Sequence, residues 1–158
     1  MQQQTKISWS NPVHLLAFGL GSGAAPKAPG TFGTIAAIPL YLLLQPVAPV
    51  YYLLVVLVMS IFGVWLCHRA AEDMGLHDHP GIVWDEWVGF LITMWLAPNG
   101  WIWLLAGFVL FRFFDIIKPW PIHLLDRHIP GGWGIMVDDI LAGIYAFALI
   151  QFAAYVYL

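Results

Sequence analysis

The chain alternates apolar runs with short polar or Gly/Pro-rich breaks. Residues 1–10 are polar, and residues 11–20 form a short apolar stretch suited to a helix lying along an interface. Residues 21–33, GSGAAPKAPGTFG, read as a Gly/Pro loop. Residues 34–44 are apolar, interrupted by Pro39 and followed by a QPVAP turn. A crossing helix needs about 20 residues, so this element is short unless it is tilted, broken or extended back toward Thr31. Residues 50–67 are an uncharged apolar run, and residues 68–81 a polar loop with His68, Arg69, Glu72, Asp73, His77, Asp78 and His79. Residues 82–97 are apolar apart from Asp85 and Glu86, and APNG at 97–100 is a turn. Residues 101–117 stay apolar until Arg112 and Asp115. A Pro/Gly-rich loop follows at 118–134, then a last apolar run at 135–158 with Asp138 and Asp139 near its start. The pattern predicts an all-α, integral membrane helical bundle with about four or five spans plus a short N-terminal interfacial helix. A single domain is expected over residues 1–158, with residues 1–10 flexible.

Composition strengthens the membrane reading. The 158 residues are 61% hydrophobic and 9% charged, whereas soluble domains carry about 25% charged residues. A soluble fold of this size could not bury that much apolar surface. Nine Trp residues suit membrane–water interfaces. A net charge of −3 with no basic run gives no reason to expect a nucleic-acid partner. Cys67 is the only cysteine, which excludes an internal disulfide, and Asp73 stands where a Cys-based phosphatase loop needs Arg. The polar first residues lack a signal-peptide pattern.

Charge distribution changes the picture further. Threading the runs through a bilayer in turn puts residues 1–33, 68–81 and 118–134 on one face. All 6 Lys/Arg and all 9 Asp/Glu then fall on or near that face, and the other face has none. The excess of Lys and Arg makes the charged face cytoplasmic. Asp85, Glu86, Asp115, Asp138 and Asp139 lie a turn or two inside the apolar runs. Each would cost about 2.5–3.5 kcal/mol at a bilayer centre, so acids from three separate runs at one level mark a functional site.

Carboxylates held together repel and call for a cation. Hard oxygen ligands suit Mg²⁺, while the absence of a Cys pair or regular His spacing argues against zinc. His68, His77, His79, His123 and His128 lie in the loops of the charged face. In FRFFDIIKPWPI, Arg112 and Asp115 share a helix face, with Lys118 just beyond. Arg suits bidentate contact with phosphate. The loop at 21–33 offers backbone N–H groups, Lys27 and Thr31 to an anion, although it is not a GxxxxGK[ST] loop. Gly89 and Gly143 would let helices approach closely. Carboxylates, a cation, basic groups and a lipid-facing scaffold point to phosphate chemistry on a membrane substrate.

Four segments, GSGAAPKAPGTFGT (21–34), IVWDEWVGF (82–90), FRFFDIIKPWPI (111–122) and GGWGIMVDDILAG (131–143), resemble the bacterial phosphatidylglycerophosphatase A family in order and layout. The resemblance implies a multi-pass inner-membrane enzyme that takes a phospholipid from the bilayer. It would hydrolyse phosphatidylglycerophosphate to phosphatidylglycerol and inorganic phosphate with Mg²⁺. That likeness puts Asp85, Glu86, Asp115, Asp138 and Asp139 in the family's motifs; they are the expected catalytic and metal-binding carboxylates, with Glu86, Asp115 and Asp139 holding the ion and Asp85 and Asp138 as ligands, outer partners or a water-orienting base. Lys27, Thr31, Arg112 and Lys118 would hold phosphate, and Glu72 and Asp78 are lesser candidates. Two other functions stand beside this one: a phospholipid head-group transferase, whose DGxxAR pattern is absent, and a non-enzymatic transporter or scaffold, which the charge-free second face disfavours.

Overall fold

The computed structural model describes residues 6–158, and residues 1–5 of the segment expected to be flexible lie outside the described residues. The helices are α1 (Pro12–Ala17), α2 (Pro29–Leu44), α3 (Pro49–Met74), α4 (Trp84–Met94), α5 (Trp101–Ile117), α6 (Ile122–His128) and α7 (Gly131–Tyr157), with a 3₁₀ segment at Gly19–Ala24. No strand occurs among the described residues. Local chemistry sets the ends. Asn11 caps α1 by accepting from the Val13 amide at 3.0 Å, and α1, α2 and α3 each carry Pro in the first turn. Gly75, with φ of 68°, ends α3 in the left-handed conformation.

Among the described residues, α3, with 26 residues, and α7, with 27, are the two helices long and apolar enough, by length and composition, to cross a membrane. At 1.5 Å per residue each runs ~40 Å. The apolar run at 82–97 is different from its expectation. Its helix, α4, has 11 residues, or ~17 Å, against the ~30 Å of a bilayer core. Every residue of α4 except Ile92 is buried. It is a central plug, packed on α7, α2, α3 and α5. The α4–α7 crossing is tight: a Cβ added at Gly143 would meet the Gly89 carbonyl oxygen at 2.5 Å. Both glycines serve backbone contact.

Two further boundaries move. Helix α3 continues through the expected polar loop to Met74, because Arg69, Ala70, Ala71, Glu72 and Met74 favour helix and Arg69 pairs with Asp73 at 3.5 Å one turn on. Polarity there marks a change of surroundings rather than a helix end. Helix α7 starts at Gly131 and has no acid in its first turn. Asp138 therefore lies about two turns inside, where the macrodipole no longer supports it. Helix α6 folds within the expected 118–134 loop.

The two ends of the bundle differ in chemistry. At one end the 95–100 turn meets the α2–α3 turn through Gln45 Nε2 donating to Asn99 Oδ1 (2.6 Å), and Gln151 Nε2 donates to the Trp95 carbonyl (3.3 Å). These are neutral groups. The ion pairs gather at the other end, where α3 and α5 finish and α4 and α7 begin.

Candidate active site

The first turn of α4 and the third turn of α7 bring Asp85, Glu86 and Asp139 together. One carboxylate oxygen from each lies within 4.8 Å of the others. Their residues are 7%, 9% and 3% exposed. Asp85 Oδ1, Glu86 Oε2 and Asp139 Oδ2 have no hydrogen-bond partner. At an effective dielectric of ~20, each fully ionised pair at such a separation would repel by about 3.5 kcal/mol or more. Three pairs approach the whole stability of a typical domain, about 5–15 kcal/mol. A cation is the simplest remedy, and three unclaimed hard oxygens are a donor set that fits a divalent one.

Arg112 borders this group from α5. Its Nη1 lies 3.8 Å from Glu86 Oε1 and donates to Asp115 Oδ2. Asp115 is itself beside Asp139. Arg112 Nε has no partner, so the guanidinium keeps donor capacity. The amino end of α2 closes the space. A Cβ added at Gly30 would meet Glu86 Oε1 at 2.7 Å and both terminal nitrogens of Arg112 at 3.0 Å. Gly30 sits in the first helical turn, where N–H groups lack intrahelical partners and attract anions. Thr31 is half-buried next to it. Lys27 is exposed in the preceding loop and pairs with no carboxylate among the described residues.

Asp138 is directed elsewhere. Its Oδ2 accepts from Lys118 Nζ at 2.9 Å, and Lys118 also pairs with Asp126 Oδ1 at 3.4 Å. Burial works against the Lys118 charge, but the bond to Asp138 and the nearby acids hold its ammonium above the usual lysine range. Burial likewise opposes ionisation of Asp126, yet contacts with Asp138 and Lys118 keep it below the usual carboxylate range. Lys118, with φ of 48°, adopts the left-handed conformation uncommon for a side chain of this kind.

The sequence-derived candidates thus fall into groups. Asp85, Glu86 and Asp139 form one centre, with Asp115 and Arg112 against it and Gly30–Thr31 across it. Asp138 and Lys118 pair with each other, so Lys118 is committed to carboxylates. Glu72 pairs with His68 and Arg69 on the α3 surface. Asp78 lies near Lys118 and Asp126, and burial raises its carboxyl above the usual range. Sequence reasoning missed Asp126 as a partner of Lys118, because their pairing depends on α6 folding back and no spacing encodes it. It also missed the buried His14, whose Nε2 lies 3.3 Å from Asp73 Oδ2; a lone His in an apolar stretch was the available signal.

Fold and site together define a helical protein with membrane-length helices and a buried acidic centre faced by arginine. The description of phosphatidylglycerophosphatase A, the PgpA family, matches residues 15–154. Phosphatidylglycerophosphatase A of Escherichia coli K12 is 49% identical over 150 residues, covering 94% of this chain and 87% of that one. The Haemophilus influenzae protein of the same name is 48% identical over 143 residues, covering 89% and 88%. A Bacteroides thetaiotaomicron relative, whose name proposes a phosphatidylinositol-3-phosphatase, is 39% identical over 150 residues, covering 90% and 93%. The chain belongs to the phosphatidylglycerophosphatase A family. No solved structure matches it.

Proposed function

We propose that this chain is a magnesium-dependent, multi-pass enzyme of the bacterial inner membrane. It hydrolyses phosphatidylglycerophosphate to phosphatidylglycerol and inorganic phosphate at the cytoplasmic face. The observation that carries the reading is the trio of buried, unpartnered carboxylate oxygens on Asp85, Glu86 and Asp139. The names of the Escherichia coli and Haemophilus influenzae relatives supply the substrate. Helices α3 and α7 cross the bilayer, α2 and α5 cross it with local thinning, and the short, buried α4 with its flanking residues carries the chain across inside the bundle, giving about five passes.

Asp85, Glu86 and Asp139 hold Mg²⁺ in this reading, and Asp115 steadies Asp139 from the next helix. The ion, when bound, neutralises phosphate charge and makes water a better nucleophile. Arg112 donates to the non-bridging oxygens of the phosphomonoester, with Asp115 fixing its plane. The Gly30 amide and Thr31 hydroxyl approach the phosphate from the amino end of α2. Lys27 draws the anionic head group toward the site. Water attacks phosphorus, the phosphorus–glycerol oxygen bond breaks, a cluster carboxylate takes the proton of the water, and the glycerol oxygen gains one from solvent. The acyl chains stay in the bilayer, so substrate arrives laterally. Asp138 and Lys118 hold the start of α7 against the loop beyond α5.

The test is phosphate release by detergent-purified protein. Activity on phosphatidylglycerophosphate with Mg²⁺ and its loss on chelation are expected; unchanged release in EDTA would overturn the metal role. Preference for phosphatidylinositol 3-phosphate in the same assay would move the substrate to that suggested by the Bacteroides relative. Cysteine-accessibility mapping of Lys27→Cys and Asn99→Cys, done on an otherwise Cys-free background, should label them from opposite faces.

A further inference from the structure

Helix α1 lies outside the carboxylate centre, yet polar contacts tie it to the end of α3 and to the residue before α4. His14 is 3% exposed. Its Nδ1 accepts the Ser8 amide at 3.0 Å, so the proton resides on Nε2, which faces Asp73 Oδ2 at 3.3 Å. Asp73, at the end of α3, is steadied through its other oxygen by Arg69 Nε at 3.5 Å. One turn after His14, the Ala17 carbonyl accepts the Val83 amide at 2.8 Å. Val83 is the residue before α4, and Asp85 and Glu86 occupy the first turn it begins. Phe18, fully buried, stacks edge-on against His79 at 5.1 Å in the same connection, and its ring lies 6.3 Å from His14. A continuous path therefore runs from Asp73 through His14, Ala17 and Val83 to two of the three carboxylates.

We infer that His14 is a positioning residue that fixes the first turn of α4, and so the spacing of Asp85 and Glu86 against Asp139, by anchoring α1 to Asp73. The inference rests on the reading of that trio as a cation site. The His–carboxylate link acts on the ligands through α1 and the Val83 backbone; loss of a partner bonded directly to a ligand costs about 10–100-fold in metal affinity or activity, and the lower end of that range is expected here. The position of α1 calls for a side chain that accepts on one side and donates on the other, as His14 does and no aliphatic side chain can.

The test measures Mn²⁺ binding to the detergent-purified full chain by electron paramagnetic resonance, alongside Mg²⁺ titrations of activity and thermal melting. His14→Ala is expected to weaken Mn²⁺ binding about tenfold or more, with KM for the lipid unchanged. His14→Gln retains a donor and an acceptor and should recover much of the loss. Asp73→Asn keeps an acceptor and should bind nearly as the parent does. The losses in His14→Ala and Asp73→Ala should not add in the double variant, because they break one link. Should His14→Ala fail to fold, the Asp73→Ala and Asp73→Asn pair carries the same comparison. Parental Mn²⁺ affinity in His14→Ala, or fully additive losses, would overturn the inference alone, provided Asp139→Asn abolishes binding. Parental affinity in Asp139→Asn as well would overturn the cation site itself.

Discussion

Asp138 and Asp139 are neighbours in sequence on one helix, and their surroundings are opposite. Asp138 shares its charge with Lys118, which also serves Asp126. Asp139 faces Asp85 and Glu86, and Arg112, which borders that set, donates to Asp115. Both acids are 3% exposed, so burial alone does not distinguish them. The difference is whether the fold supplies its own cation. Asp138 and Asp139 each keep one buried oxygen without a partner, but only Asp138 has a resident ammonium; Asp139, grouped with two other acids, has the surroundings that the proposed cation would answer.

Four substitutions would break or sharpen that contrast. Asp139→Asn should have the largest effect, lowering kcat roughly 10²–10³-fold or more while the metal-free protein melts no lower, since a repelling charge is gone. Phosphate-release kinetics and calorimetry check the two halves. Arg112→Lys keeps charge but loses the planar fork, so kcat should fall by about one to two orders of magnitude, with Asp115 left poorly bonded. Lys118→Gln should behave in reverse: a stability loss of about 1–3 kcal/mol in denaturant titration, with kcat of the folded fraction largely kept. A large kcat loss without destabilisation would return Lys118 to the phosphate. At the opposite end, Gln45→Ala removes an exposed amide contact and should change stability by no more than about 0.5 kcal/mol and activity not at all.

Gly30 sharpens the same boundary. Gly30→Ala pushes a methyl group onto Glu86 and Arg112. Overpacking of this kind costs about 1–3 kcal/mol, and here it falls on the side of the site proposed to receive phosphate, so activity should suffer more than melting temperature.

The helical character and the gathering of charge at one end were legible because both follow from composition and order alone. Asp85, Glu86 and Asp139 could be nominated for the same reason: acids in apolar runs are few. Their grouping was not legible, since Asp138 and Asp139 look equivalent until the rotation of α7 is known. Helix ends were misplaced where polarity and helicity part company. His68 to Met74 is polar and helical, while 95–97 is apolar and not. The length of α4 was hidden because hydropathy registers oil-like surroundings and cannot tell protein interior from lipid. The His14–Asp73 link joins positions 59 apart, beyond the reach of any periodicity.

The burial of α4 has a consequence for biogenesis. Its most extensive contact is with α7, which leaves the ribosome after the other described helices. Until then, the plug carrying Asp85 and Glu86 has neither its principal support nor Asp139, and its 11 residues are too few to settle across a membrane unaided. Assembly of the centre must therefore wait for α7. A chain interrupted before Gly131 would hold Asp85 and Glu86 without Asp139, the third member of their group.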